Sequence, residues 1–323
     1  MKRGLIFCIF GAMLLASGRS HSQQPTKPYP TRQVRIVVPY PAGGATDLIA
    51  RLLSQKLGER LGQSFFVENV NGADGVVGAG QVSQATPDGY TLLVVANDFA
   101  VASVTNSNLP YDPVKNFSPV SIIATTPEVV AVNPSVPAKN IKELVDLIKA
   151  APAKYNYAAV GLGFGQLSAE RLFKLDLKLD GLERVPFNGG APAINSTLAG
   201  DTQIIHIGLA PLVPFLSSDK LRPLAVTSRT EAFPEIPTLR ESGIPDDSDL
   251  IIGMVAPAGT PSDVISTLQK QIAQIIVLPD VKSTLDKLSY QPVASAPSEF
   301  GNQIKHDIAV WSKVMKDVNI TVN

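Results

Sequence analysis

Cysteine is almost absent from this chain, and histidine and tryptophan are scarce. The 323 residues hold one Cys, three His and one Trp. A single thiol, Cys8, cannot form an internal disulfide, so a folded exported domain would depend on its core alone. With no second Cys and only His206 and His306 beyond the first 22 residues, a conventional zinc site is not expected. There is no G-x-S-x-G elbow, H-E-x-x-H pair or Walker A loop. The glycine runs at Gly78-x-Gly80 and Gly161-x-Gly163 reach Ser83 and Gln166 where G-x-G-x-x-G needs its third glycine. Hydrolase, zinc and dinucleotide chemistry all lack their residues, and no cofactor is implied. Charge of either sign is also scarce as a cluster: 28 basic residues balance 28 acidic ones. No basic run marks a nucleic-acid partner or an anionic membrane surface.

The N-terminus has the pattern of an export signal. Lys2 and Arg3 precede the apolar run Gly4 to Ala16, which is too short to span a bilayer. Ser20 and Ser22 are small residues placed for cleavage before Gln23. Removing 1–22 leaves 301 residues, with 25 basic against 28 acidic. A chain of that length can bury a large core and is expected to divide into two domains. The expected localisation is the periplasm.

Past the proline-rich arm Gln24–Arg32, strand and helix patterns alternate. Strands are expected at Val34–Val38, Ser64–Val67, Thr91–Ala96, Glu128–Val132, Tyr155–Val160, Gln203–Ile207, Leu224–Thr227 and Ile251–Ala256. Helices are expected over Asp47–Leu61, Lys139–Ala150, from Gly165 through Phe173, up to Leu198, and over Pro261–Ile276 and Ser298–Lys316. The alternation predicts an α/β fold with open, mainly parallel sheets flanked by helices.

Two constellations are alike. Val34–Val38 runs into Pro39-Tyr40-Pro41-Ala42-Gly43-Gly44-Ala45-Thr46-Asp47 and then a helix. Tyr155–Val160 runs into Gly161-Leu162-Gly163-Phe164-Gly165 and then a helix. A glycine turn at a helix N-terminus presents unpaired backbone N–H groups to an anion. Neither turn holds a Lys or Arg, so backbone dipoles would carry the binding, which suits a small carboxylate. Both loops can equally be tight βα turns.

The ordered motifs resemble the Bug family of periplasmic solute-binding receptors, the extracytoplasmic components of tripartite tricarboxylate transporters. Pro39–Asp47 resembles P-[FY]-P-x-G-G-x-x-D, and Val67-Glu68-Asn69 with Gly72-Ala73 resembles V-E-N-x-x-G-A. Pro87-Asp88-Gly89-Tyr90-Thr91-Leu92, Tyr111-Asp112-Pro113, Leu224-Ala225-Val226-Thr227-Ser228, Ile236-Pro237-Thr238 and Ala256-Pro257-Ala258-Gly259-Thr260-Pro261 are also typical. The resemblance spans nearly all of 33–318. It implies a two-domain, type II periplasmic binding fold that closes on its ligand about a hinge, with 23–128 and 252–323 in one domain and 129–251 in the other. It implies a non-enzymatic monomer that passes a small carboxylate to membrane permease subunits; a receptor serving a sensor kinase would use the same clamp, and an exported carboxylate-processing enzyme is the third reading.

The ligand-binding set implied is Tyr40, Ala42, Gly43, Gly44, Ala45, Thr46 and Asp47 on the first loop. Asn97, Ala159, Val160, Gly161, Gly163, Phe164, Gln166 and Gly208 complete it. Asp47 has two readings, a helix cap that orients the loop or a partner for a ligand ammonium, and Glu128 has the same two. The chain departs from the family where hydroxyls flank the second G-x-G: here stand Ala159, Val160 and Phe164. Leu167 and Arg171 replace a histidine and a glutamate, Val70-Asn71 replaces a basic residue plus proline, and Gln203 replaces an aspartate. With fewer donors and an added ring, the second loop favours an aromatic or aliphatic body, Phe164 packing against it, over a citrate-like ligand.

Overall fold

The computed structural model describes residues 29–318 except 162, 188 and 247; the export segment falls outside them. Among the described residues, eleven strands form two open sheets. The first orders β11-β4-β10-β3-β1-β2, from β1 (Val34–Val38), β2 (Phe65–Asn69), β3 (Thr91–Val95), β4 (Phe117–Thr126), β10 (Leu250–Pro257) and β11 (Gln291–Pro292). The second orders β7-β6-β8-β5-β9, from β5 (Glu128–Val132), β6 (Asn156–Val160), β7 (Glu183–Phe187), β8 (Ile204–Gly208) and β9 (Arg222–Val226).

Each sheet is covered on both faces, because side chains of a strand alternate. Val34, Ile36 and Val38 point to one face, where α1 (Ala45–Leu61), α8 (Ser262–Ile275) and α9 (Pro279–Lys287) bury Leu53, Leu57, Leu268, Ile272 and Leu285. Val37 and Val95 point to the other, against α2 (Val76–Ser83), α3 (Asp98–Thr105) and α10 (Pro297–Asp317). In the second sheet, Val130 and Val132 meet α4 (Ile141–Ala150) and α5 (Phe164–Glu170). Val129 and Ala131 meet α6 (Gly190–Ala199) and α7 (Val213–Leu216).

The sheets are mixed, which corrects the expectation of mainly parallel ones. β1–β2, β1–β3, β6–β7 and β6–β8 are parallel, as βαβ crossovers require. The strands that pass between the sheets make the antiparallel pairs. β4 runs through Pro127 straight into β5, and β10 returns from the second sheet to lie antiparallel between β3 and β4. β5 is likewise antiparallel to β8 and β9. A chain that leaves one sheet for another and comes back must run against the strands it left. β4, β7, β11 and the helices α2, α3, α7 and α9 were absent from the expected set. β4 carries Ser118, Pro119, Ser121 and Thr125 among its apolar residues, so no clean run marks it.

Candidate functional site

The first loop is built as a turn closed by its own carboxylate. Gly43 has φ +87°, which only glycine adopts readily, and its N–H donates to Asp47 Oδ2 at 2.9 Å. Asp47 is 2 % exposed. It also accepts Arg51 Nε at 2.9 Å and Asn69 Nδ2 at 2.9 Å, while Asn69 Nδ2 reaches the Tyr40 carbonyl at 3.1 Å. Burial alone would raise the Asp47 pKa, but the bonds from Arg51, Gly43 and Asn69 outweigh it and hold it below the usual carboxylate range. Asp47 therefore points back into its loop. Asn69, from the Val67-Glu68-Asn69 motif, is a loop-positioning residue that the expected site set lacked.

What the loop offers outward is backbone. Gly44 caps α1 with no side-chain hydrogen bond to the first turn. The N–H groups of Ala45, Thr46 and Asp47 in that turn have no intrahelical partner by helix geometry, and the dipole end adds positive potential. Ala42, Gly43 and Gly44 are exposed. Tyr40 is half-buried and packs on the core, its hydroxyl accepting the Ala96 N–H at 3.3 Å.

The second loop is arranged differently. Gly161 has φ +68° and Gly163 precedes α5. The Phe164 ring is turned inward, toward α10. It is 2 % exposed and meets the Trp311 ring edge-on at 5.1 Å, among Val101 and Leu167. An apolar ring gains more from this cluster between α3, α5 and α10 than from a polar cleft. Phe164 also borders a cavity of about 460 Å³ together with Asn97, Arg171, Asp249, His306 and Trp311. Ala159 is core, Val160 packs partly buried against the opposite face of the sheet, and Gln166 is buried. Gly208 lies where a Cβ would collide with the Leu250 side chain, so its smallness serves packing.

Asn97 uses both ends of its amide. Oδ1 accepts Ile251 N–H at 2.7 Å and Nδ2 donates to the Asp249 carbonyl at 3.2 Å, stitching the end of β3 to the return strand. Arg171 bonds Ser248 Oγ at 2.8 Å and lies 3.5 Å from Asp246, tying α5 to the same return segment. Gln203 caps the Gly200 turn through that carbonyl at 2.9 Å and accepts Asn156 N–H at 3.0 Å. These two departures from the family pattern serve the frame of the second sheet.

Glu128, at the entry to β5, is 2 % exposed, accepts the Ser168 hydroxyl and lies 3.7 Å from His206 Nε2. Burial pushes its carboxyl well above the usual value. Burial likewise lowers His206 to about 4, opposed by the Asp246 carboxylate. Neither His206 ring nitrogen has a hydrogen-bond partner among the described residues. An unfolded His binds a proton below pH about 6.5, the folded one only below about 4, so folding stability present above 6.5 is lost across that window. Glu128 works oppositely, since acid relieves its buried charge. We expect wild type minus His206→Leu, measured by denaturant unfolding, to lose on the order of 3 kcal/mol between pH 6.5 and 4. A flat difference would refute a buried neutral imidazole.

Two mixed sheets with glycine loops at helix N-termini and two strands passing between them define a periplasmic-binding-type fold. The profile of the tripartite tricarboxylate transporter family receptor matches residues 49–320, and the chain belongs to that family. It is 31 % identical over 326 residues to the "UPF0065 protein in tcbD-tcbE intergenic region" of Pseudomonas sp. strain P51, covering 100 % of this chain and 96 % of that one. Among solved structures it is similar to periplasmic binding protein BugD, at 30 % identity and TM-score 0.76 over 90 % of this chain and 99 % of that one. It is also similar to Rpa4515 of R. palustris with adipate, at 30 % identity and TM-score 0.80 over 91 % and 99 %. Among the described residues, no helix is long and apolar enough to cross a membrane.

Proposed function

We propose that this chain captures a small carboxylate in the periplasm, between its two sheets, and delivers it to the membrane permease of a tripartite tricarboxylate transporter without chemically changing it. The observation that carries this reading is the first loop: a turn fixed by Asp47, Arg51 and Asn69 that leaves the N-terminal amides of α1 open to an anion. Family membership and the adipate in the R. palustris relative support it. The two lobes are 23–128 with 252–323, and 129–251, with the hinge where β4 passes into β5 and the chain returns into β10. The chain acts as a monomer. The carboxylate lies with one end at the Ala42–Thr46 amides and its body toward Gly161, Gly163 and Gly208.

Calorimetry of the mature protein against benzoate, nicotinate, aliphatic monocarboxylates and dicarboxylates, and citrate tests this. Saturable one-to-one binding with recovery of unchanged ligand is expected, and turnover or absence of any binding would sink the receptor reading. Closure is checked by small-angle scattering: the tightest ligand of the panel should reduce the radius of gyration. An unchanged radius would argue for a preformed pocket.

A further inference from the structure

The carboxylate that meets the second loop belongs to the protein. Asp98 opens α3 directly after Asn97, on the first sheet's side, and its Oδ1 accepts the Phe164 N–H of the second sheet's loop at 2.8 Å. A Cβ on Gly163 would collide with that same oxygen, so the glycine there makes room for Asp98. Burial raises the Asp98 carboxyl to about 6, the Phe164 N–H opposes the rise, and the Asp74 carboxylate adds to it. None of these groups is a cation, in contrast to Asp47 with its Arg51. Asp98 also acts on Tyr40, raising its hydroxyl after burial has done so; its charge thus reaches the first loop as well.

These facts bear on the far end of a ligand whose near carboxylate sits on the first loop, and the inference rests on that reading. We propose that Asp98 determines specificity: the cleft accepts a carboxylate whose other end is uncharged or an ammonium, and discriminates against a dicarboxylate. A second ligand carboxylate would enter a low-dielectric space where the Phe164 amide is already engaged and a like charge stands. An ammonium would supply a counter-charge to Asp98, since the cation that lines the neighbouring cavity, Arg171, is already engaged by Asp176, Asp246 and Ser248.

Matched ligands isolate the effect. Hexanoate, adipate and ε-aminohexanoate share a carbon chain, as do butyrate, succinate and γ-aminobutyrate. Titrated at neutral pH into the mature protein, the dicarboxylates should bind on the order of tenfold or more weaker than the matched monocarboxylates. The amino acids should bind at least as tightly as the monocarboxylates. Asp98→Asn keeps an oxygen for the Phe164 N–H and removes the charge; Asp98→Ser provides a second variant, and thermal unfolding verifies that both fold. Both should shrink the discrimination to within about threefold. A general loosening of the fold would weaken all ligands together and leave the ratio unchanged. Adipate binding as tightly as hexanoate in wild type, or a ratio unmoved in both variants, overturns the proposal while the receptor reading stands. Absence of binding by every carboxylate overturns the receptor reading and this inference with it.

Discussion

A Gly44→Val variant folds but gains no thermal stability from the tightest carboxylate of the panel. A Cβ at this position has only the Pro41 carbonyl within 4 Å, at 3.7 Å, and Gly44 has φ −73° and ψ 165°, which valine adopts without strain. Valine for glycine at the cap of α1 costs roughly 1 kcal/mol of stability. Its two methyl groups, however, stand before the amides of the helix's first turn, where an anion would approach. A ligand at a hundred times its Kd stabilises wild type by about 2.7 kcal/mol, and that increment should vanish. Differential scanning fluorimetry with and without ligand reads it directly. A folded Gly44→Val protein with wild-type stabilisation would show that the anion site lies elsewhere.

The second large effect concerns the brace under that loop. Asp47→Ala should lower folding stability by about 2–3 kcal/mol, because Gly43 N–H, Asn69 and Arg51 all lose their acceptor. Arg51 is half-exposed and recovers water, so the loss comes mainly from the Gly43 N–H and the half-buried Asn69 amide, which brace the turn. Since Asp47 is held below its ordinary pKa when folded, its contribution is present above the unfolded carboxylate value and disappears as pH falls below it. Asp47→Asn should therefore narrow the gap to wild type in acid. Denaturant unfolding at neutral pH and at pH about 3 provides the comparison, and an Asp47→Ala protein as stable as wild type would show that the loop is held by other contacts.

Much of this protein is legible in its residues because the relevant signals are local. Val34, Ile36 and Val38 alternate with a strand's period, Leu53 and Leu57 recur at a helix's, and Gly43 and Gly62 carry the positive φ angles that end or turn them. The first loop followed from this grammar. The antiparallel return of β10 did not, because pairing direction depends on where a distant strand comes back, and Leu250–Pro257 reads the same in either sense. The packing of Phe164 was not legible for a related reason: its sequence neighbours are glycines, whereas its spatial neighbours are Trp311 and Val101.

The sequence by itself determined the α/β alternation, the family motifs and a backbone-lined turn without a cation. Only the tertiary structure decided which groups those turns face. Asp47 and Asp98 are both acids next to glycine loops. Asp47 is answered four residues on by Arg51, a pairing that helix spacing alone permits. Asp98 meets Phe164 across 66 positions, and such a contact exists only because the chain passes from one sheet to the other and back, bringing the start of α3 against the start of α5.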